Sequence, residues 1–259
     1  MKRILLPTLL SLSLLSVAHA QQTGKPEDTE VYEPVPNVVT PGPYTTSAPP
    51  SDAVVLFNGK VLSEWVSVAD RKAPAKWKVA DGLLTVDKAQ GNIETKRTFS
   101  NYQLHLEWRV PANITGTGQA RGNSGLFLAS TGKGDLGYEL QILDSYNNKT
   151  YVNGQAGSIY KQRIPLANPT RKPGEWQSYD VVWLAPTFKA DGSLQTPARV
   201  TVIFNGIVVQ NNVELAGPTQ YIGQPSYNGQ KGGAAPIKLQ SHGDKSEPDS
   251  FRNIWIREL

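Results

Sequence analysis

Cysteine is absent from all 259 residues, so no disulfide can staple the fold and no thiolate can act as nucleophile or metal ligand. Stability must come from a hydrophobic core, and a chain of this length can bury a full-sized one. Charge of one sign is also scarce. The 26 basic residues face 22 acidic ones for a formal net of +4, and without Lys2 and Arg3 the surplus falls to two. That balance gives no electrostatic footprint for nucleic acid or an anionic membrane surface and points to a neutral partner. Of the 3 histidines, His19 falls in the N-terminal segment, which leaves His105 and His242. Metal-ligand spacings, a nucleophile-elbow serine and a phosphate-cradling strand, Gly-rich turn and helix are all missing. No motif calls for a cofactor. A divalent cation held by scattered carboxylates and carbonyls is the one class left open, because such ligands need no fixed spacing.

Long apolar runs are missing with one exception. Ile4 to Val17 follows Lys2-Arg3 and precedes Ala18-His19-Ala20, the order of a signal peptide's basic, apolar and cleavage regions. Residues 1–20 are therefore expected to be a cleaved signal peptide, with the mature chain starting at Gln21 in a periplasmic or secreted location. The run is shorter than the ~20 residues a membrane span requires. Residues 21–52 carry Pro26, Pro34, Pro36, Pro41, Pro43, Pro49 and Pro50 among Thr, Ser and Glu. They predict an extended arm or linker that packs little, since such a composition suits neither ladders nor a core. The domain proper is expected over 53–259.

From Val54 onward short runs rich in Val, Ile, Leu, Trp and Tyr recur between Gly, Asn, Asp and Pro clusters, and none alternates with a helical pattern. Eleven strands are expected, at 54–57, 77–79, 83–86, 102–110, 125–129, 137–143, 179–184, 199–204, 207–210, 237–241 and 251–257. Asp81-Gly82 and Asn205-Gly206 each sit between two such runs and predict tight hairpins. Many short strands without amphipathic helices argue an all-β sandwich of two antiparallel sheets. The 251–257 strand is expected to pair with 54–57. The Gly-rich stretch Asn113 to Gly125 reads as a mobile rim loop, and the Pro-bearing connection Tyr160 to Trp176 as a long loop over a sheet face.

Period-2 alternation yields three polar rows. On 102–110, Tyr102, Leu104, Leu106, Trp108 and Val110 share one face while His105, Glu107 and Arg109 share the other. On 137–143 the polar pair is Glu139 and Gln141, and Asp144 joins it only through a bulge. On 237–242 the row is Lys238, Gln240 and His242. Each row read alone fits a solvated sheet face. Together, with both signs of charge, they suggest one shared groove suited to proton transfer, with Glu107 orienting its neighbours.

Leu56-Phe57-Asn58-Gly59-Lys60, Trp77-Lys78-Val79-Ala80-Asp81-Gly82, Asn123-Ser124-Gly125, Gly137 to Asp144, Gly157-Ser158-Ile159-Tyr160, Gly174-Glu175-Trp176, Asn205-Gly206 and Leu239-Gln240-Ser241-His242-Gly243 with Phe251-Arg252-Asn253-Ile254 resemble, in order, the 3-keto-disaccharide hydrolase domain family. The resemblance spans Val54 to Leu259. It implies a concanavalin-A-like jelly-roll sandwich and cleavage of 3-keto-glycosides, with a carbohydrate as partner. The chain departs from the family pattern at Lys238, where a small residue is common, and in a longer His242-to-Phe251 loop, so substrate choice can differ.

The implied reaction needs a base for the C2 proton that a C3 ketone acidifies, an acid for the leaving oxygen, and donors near the C3 oxygen. The expected catalytic residues are Glu139, His242, Arg109 and Lys238, and the expected substrate-binding residues are Gln141, Gln240, Asn123, His105, Glu107 and Asp144. Two other readings compete. A retaining glucanase on the same fold would place its acids at Glu139, Gln141 and Asp144, but the central amide removes one of them. A non-catalytic sugar-binding module would use aromatic rings and the polar rows for recognition alone.

Overall fold

The computed structural model describes residues 24–259. The expected signal peptide, residues 1–20, lies outside the described residues. Alternating apolar and polar side chains build strands that each offer one face to a common core. Two main antiparallel sheets result, beside two small two-stranded pairs. The larger runs, in spatial order, Ile207–Glu214, Arg199–Phe204, Gln177–Leu184, Tyr102–Arg109, Ser250–Glu258, Leu83–Thr85 and Lys78–Ala80, with Val54–Phe57 also paired to Ser250–Glu258. The smaller runs Trp65–Ser67, Ile93–Thr95, Lys238–Leu239, Ser124–Ser130 and Gly137–Ile142. Among the described residues helical structure is limited to short 3-10 turns. The all-β, two-sheet sandwich expected from the sequence is the observed architecture.

The core lies between the sheets. Tyr102, Leu104, Leu106 and Trp108 from the larger sheet face Leu126, Leu128, Leu140, Ile142 and Leu239 from the smaller, and all are fully buried. Removing each such side chain from water contributes about 1.5–3 kcal/mol. Two tyrosines cross the core and satisfy their hydroxyls on the opposite sheet. Tyr102 donates to the Leu128 carbonyl at 2.6 Å and Tyr179 to the Gln141 carbonyl at 2.7 Å.

Both expected hairpins form, with Asp81-Gly82 at φ 53° and 77° and Asn205-Gly206 at φ 52° and 83°, the left-handed pair that a two-residue turn needs. The last strand pairs with Val54–Phe57 through Ile254 opposite Phe57 and Ile256 opposite Val54, as expected. Trp65–Ser67 and Ile93–Thr95 form strands the sequence did not announce, because three residues are too few to show alternation. The 237–241 strand is shorter than expected, at Lys238–Leu239.

The arm is extended, as its prolines require, but it does not pack little. Asn37–Val38 pairs in parallel with Ala167–Asn168, Arg171 donates to the Gly42 carbonyl at 2.7 Å, and the Thr46 hydroxyl reaches Glu107 at 2.8 Å. That last contact exposes a second correction. His105, Glu107 and Arg109 lie on the outer face of the larger sheet, beneath the arm, and not in a groove with the other two rows. Glu107 is fully buried and accepts from Arg252 Nε at 2.5 Å, Asn253 Nδ2 at 2.8 Å and His105 Nε2 at 3.4 Å. His105 Nδ1 donates to Asp180 at 2.7 Å. Burial works against both charges, yet these bonds outweigh it. They hold Glu107 well below the usual carboxylate range and raise His105 to about 9. Arg109 lies over the Trp176 ring at 4.6 Å. The cluster is a structural knot under the arm. Glu107→Ala strips a buried charge network of its centre and is expected to cost about 3 kcal/mol, or roughly 6–12 °C of melting temperature, while leaving turnover unchanged. Thermal denaturation beside an activity assay checks both halves.

Candidate active site

The outward row of the smaller sheet carries the other two polar rows. In register across it stand Glu94, Lys238, Phe127 and Glu139. One step along, Gly125 lies opposite Gln141, and the Gln240 N–H donates to the Gly125 carbonyl at 2.9 Å. Loops fold over this face and bury what alternation alone would leave in solvent. They enclose a cavity of about 270 Å³ lined by Asn123, Asp135, Glu139, Gln141, Tyr160, Thr219, Tyr221, Gln240 and His242. Five residues expected in a site thus meet: Glu139, His242, Gln141, Gln240 and Asn123.

Gly125 lies between two of these lining side chains, Glu139 and Gln240. A Cβ at that position would stand 2.6 Å from Glu139 Oε1 and 3.3 Å from Gln240 Oε1, so the missing side chain is what gives these groups a common open space. The side-chain oxygens of Gln141 and Gln240 are buried and have no partner within the protein. Buried acceptors left unpaired are rare and costly, and two of them in one cavity fit ligand hydroxyls. Gln141 is itself aimed from behind, through Nε2 donating to Gln119 Oε1 at 3.1 Å. Gln119 in turn donates to the Gly154 carbonyl at 2.8 Å. Gly118 N also donates to Asn148 Oδ1 at 2.7 Å. The Gly-rich stretch expected to be a mobile rim is therefore pinned.

The titratable pair on the cavity walls is differentiated by its surroundings. Burial, with the negative charge of Asp135, pushes Glu139 up to about 8 despite the opposing charge of Lys238, so it is a neutral acid at pH 7. His242 Nδ1 lies 2.8 Å from Asp244 Oδ2. Burial opposes the Asp244 charge, but hydrogen bonds from His242 and Ser246 and the nearby Lys88 hold it well below the usual carboxylate range. A carboxylate only accepts, so the Nδ1 proton points at Asp244 and Nε2 is left for the cavity that the ring lines. The Asp244 N–H also lies 3.3 Å from Nδ1; the shorter contact fixes the tautomer. Tyr160 and Tyr151 share a hydroxyl contact of 2.6 Å, and burial raises both phenols above their ordinary value, so both stay protonated donors.

Five expected site residues lie elsewhere or are otherwise engaged. Lys238 is on the right face, and burial lowers it to about 8. Its three N–H donors are spent on the Gly132, Gly134 and Leu136 carbonyls at 2.9, 2.8 and 2.9 Å, which shapes the loop bearing Asp135 and leaves nothing for an oxyanion. Asp144 does not join the row, because its strand ends at Ile142 without a bulge there. It pairs instead with Arg121 Nε at 2.7 Å. Arg109, like His105 and Glu107, belongs to the far face. Asp135, Thr219, Tyr221 and Asp244 were missed. Only Asp244 left a trace, as an acid two residues from His242 in a Gly-rich turn. Tyr160 stood in a quoted motif without a role. Among the described residues, no group of three or more His, Cys, Asp or Glu side chains is placed to hold a metal ion, and no helix is long and apolar enough to cross a membrane.

Comparisons with known proteins agree with the observed fold. The family described as 3-keto-alpha-glucoside-1,2-lyase-like domain matches residues 52–257. A curated relative, the 3-keto-disaccharide hydrolase of Bacteroides thetaiotaomicron, is 27% identical over 158 residues, covering 50% of this chain and 51% of the relative. The match thus spans about half the length of that relative. A solved structure of a candidate glycosyl hydrolase from Parabacteroides distasonis is 54% identical, covers 96% of this chain and 100% of its own, and superimposes with a TM-score of 0.77. A second from the same organism, at 20% identity, covers 80% of this chain and 94% of its own with a TM-score of 0.55, and shares the fold.

Proposed function

The chain belongs to the family of 3-keto-alpha-glucoside-1,2-lyase-like domains, and from that premise we propose that its cavity cleaves 3-keto-glycosides by elimination followed by hydration. The observation that carries this reading is the pairing of a neutral Glu139 with an Asp244-oriented His242 in one cavity whose floor offers unpaired glutamine oxygens. Burial keeps Glu139 protonated as the acid, and the Asp244 contact leaves His242 Nε2 free to accept a proton as the base.

His242 Nε2 takes the C2 proton, and the C2–H electron pair forms the enolate with the C3 ketone. The enolate collapses to a C1=C2 double bond and breaks the C1–O bond, while the leaving oxygen receives the Glu139 proton. Tyr160, whose hydroxyl can receive a hydrogen bond from Tyr151, donates its own to the C3 oxygen as charge develops there. Water then adds at C1, giving its proton to the Glu139 carboxylate, and His242 returns a proton to C2. The sum is hydrolysis of the glycosidic bond, and both residues end as they began. Gln141, Gln240 and Asn123 hold ring hydroxyls.

Release of aglycone from a 3-keto-glycoside, with none from the parent glycoside, supports this scheme. Binding without release would favour the sugar-binding module. The scheme also sets a pH dependence. Because the active form of Glu139 is the acid, activity falls as pH rises through about 8. The same shift has a stability consequence. A carboxyl whose folded value lies above its unfolded one binds more protons when folded, so stability declines between the unfolded value and about 8. Glu139→Gln removes that loss. Its melting temperature is expected to exceed the wild type's at pH 8.5 and to match it near pH 4, as scanning calorimetry at the two pH values would show. The scheme goes with export directed by residues 1–20, which a mature N-terminus at Gln21 would establish.

A further inference from the structure

Two tyrosines from separate loops, Tyr160 and Tyr221, form one side of the cavity, and Lys161 contacts both. Tyr160 is held independently, by its N–H on the Glu139 carbonyl at 3.1 Å and its hydroxyl on Tyr151. Tyr221 is different: its residue is 62% exposed, so little packing fixes its ring. Lys161, only 7% exposed, donates through Nζ to the Tyr221 carbonyl at 3.1 Å, and its ammonium lies 4.8 Å from the Tyr221 ring centroid. A lysine at φ 58° is uncommon and needs a firm setting. Its N–H supplies one by donating to the Asn153 carbonyl at 2.8 Å.

The rest of the setting comes from the arm. Lys161 Nζ also donates to the Pro26 carbonyl. Asn153 Nδ2 donates to the Thr29 carbonyl at 2.9 Å, its Oδ1 accepts from Val31 N at 3.0 Å, and Val152 N donates to the Val31 carbonyl at 2.7 Å. Burial lowers Lys161, and the negative charges of Glu30 and Glu27 on the arm counter it. The segment Pro26–Val31 lies outside the residues that match the family, 52–257.

We infer that the arm completes the substrate wall: Tyr221 is the platform on which the leaving sugar ring stacks, and Lys161, clamped by Pro26–Val31, is the residue that positions it. The inference rests on the cavity being the active site. The cavity of about 270 Å³ takes the keto sugar, and the exposed Tyr221 ring at its side offers an aromatic face to a second ring. The Lys161 ammonium also lies 5.9 Å from the Tyr160 ring centroid, but Tyr160 keeps its own anchors on the Glu139 carbonyl and the Tyr151 hydroxyl, so Lys161 acts on the substrate through Tyr221. Its loss therefore weakens binding of substrates that reach Tyr221 and leaves the chemistry at Glu139 and His242 intact.

The test compares two probes on the full chain: an α-linked 3-keto-glucosyl-glucose, and methyl 3-keto-α-glucoside, which has no second ring. Lys161→Met is expected to raise KM for the disaccharide about tenfold, the scale of one aromatic contact, with kcat within about twofold and both constants for the methyl glycoside unchanged. Lys161→Arg restores KM, and Tyr221→Ala reproduces the split without adding to Lys161→Met in the double variant. Equal effects on the two probes, or none, would overturn the inference, since a merely structural lysine lowers the melting temperature without distinguishing substrates. Should Lys161→Met fail to fold, the exposed Tyr221→Ala carries the same decision. Glu139→Gln separates the two levels: full turnover of both probes by that variant removes the active site and this inference with it, whereas an inactive Glu139→Gln beside an unsplit Lys161→Met removes the inference alone.

Discussion

Glu139→Gln lowers turnover of a 3-keto-glycoside by at least ~100-fold, and His242→Ala does the same, the usual scale for loss of a general acid or base. The glutamine keeps the shape of the buried carboxyl and its place on the strand, but it has no proton to pass to the leaving oxygen. The alanine removes the imidazole and leaves Asp244 still held by Ser246 N at 2.7 Å and by Lys88, so the turn persists. Because His242 and Glu139 act on opposite ends of one elimination, the double variant is expected to lose little beyond the worse single one. Measured kcat/KM for the three variants, with circular dichroism to confirm folding, checks this. Full activity in both single variants would remove the acid–base pair. A leaving group that departs without protonation, such as p-nitrophenolate, should rescue Glu139→Gln and not His242→Ala, which identifies which residue serves which end.

Gly125→Ala should be nearly as damaging while adding only one methyl group. The new Cβ would lie 2.6 Å from Glu139 Oε1 and 3.2 Å from Phe127 Cε2. The carboxylate is the far end of a flexible side chain and can give way, so the fold survives. It gives way by about an ångström from the position where the substrate's oxygen must meet it, and a displacement of that size costs on the order of 100-fold in rate. Turnover should fall by that factor with a melting temperature within about 3 °C of wild type, worth roughly 1 kcal/mol for a domain this size. A large loss of melting temperature with proportionate loss of activity would mean Gly125 serves packing and not the cavity.

The parts of this site legible in the sequence are those governed by period 2. Alternation separated Glu139 from Leu140 and Lys238 from Leu239, and it showed which of each pair avoids the core. It could not say on which outer surface a row emerges, because a sandwich has two of them. His105, Glu107 and Arg109 alternate as cleanly as Glu139 and Gln141, yet their strand lies in the other sheet, so the rows face opposite ways. The hairpins were readable because Asp81-Gly82 and Asn205-Gly206 encode their own backbone geometry locally. Tyr221, Thr219 and Asp135 were not, since each reaches the cavity on a loop whose path depends on long-range contacts, such as the three carbonyls gathered by Lys238. The arm misled for a related reason: proline density reports that a segment forms no ladder of its own, not that it lacks a surface to lie on.

The two tyrosines that cross the core have a mechanical meaning. Tyr179 grips the carbonyl of Gln141, a residue whose side chain forms part of the catalytic floor, and Tyr102 grips the carbonyl of Leu128 on the neighbouring strand. These bonds act as bolts against shear. One sheet cannot slide past the other without breaking a buried hydrogen bond and leaving its partners dry. The catalytic floor therefore has no low-energy way to loosen ahead of the core beneath it. Floor and core yield as one cooperative unit, and heat takes the chemistry away at the same step at which it opens the sandwich.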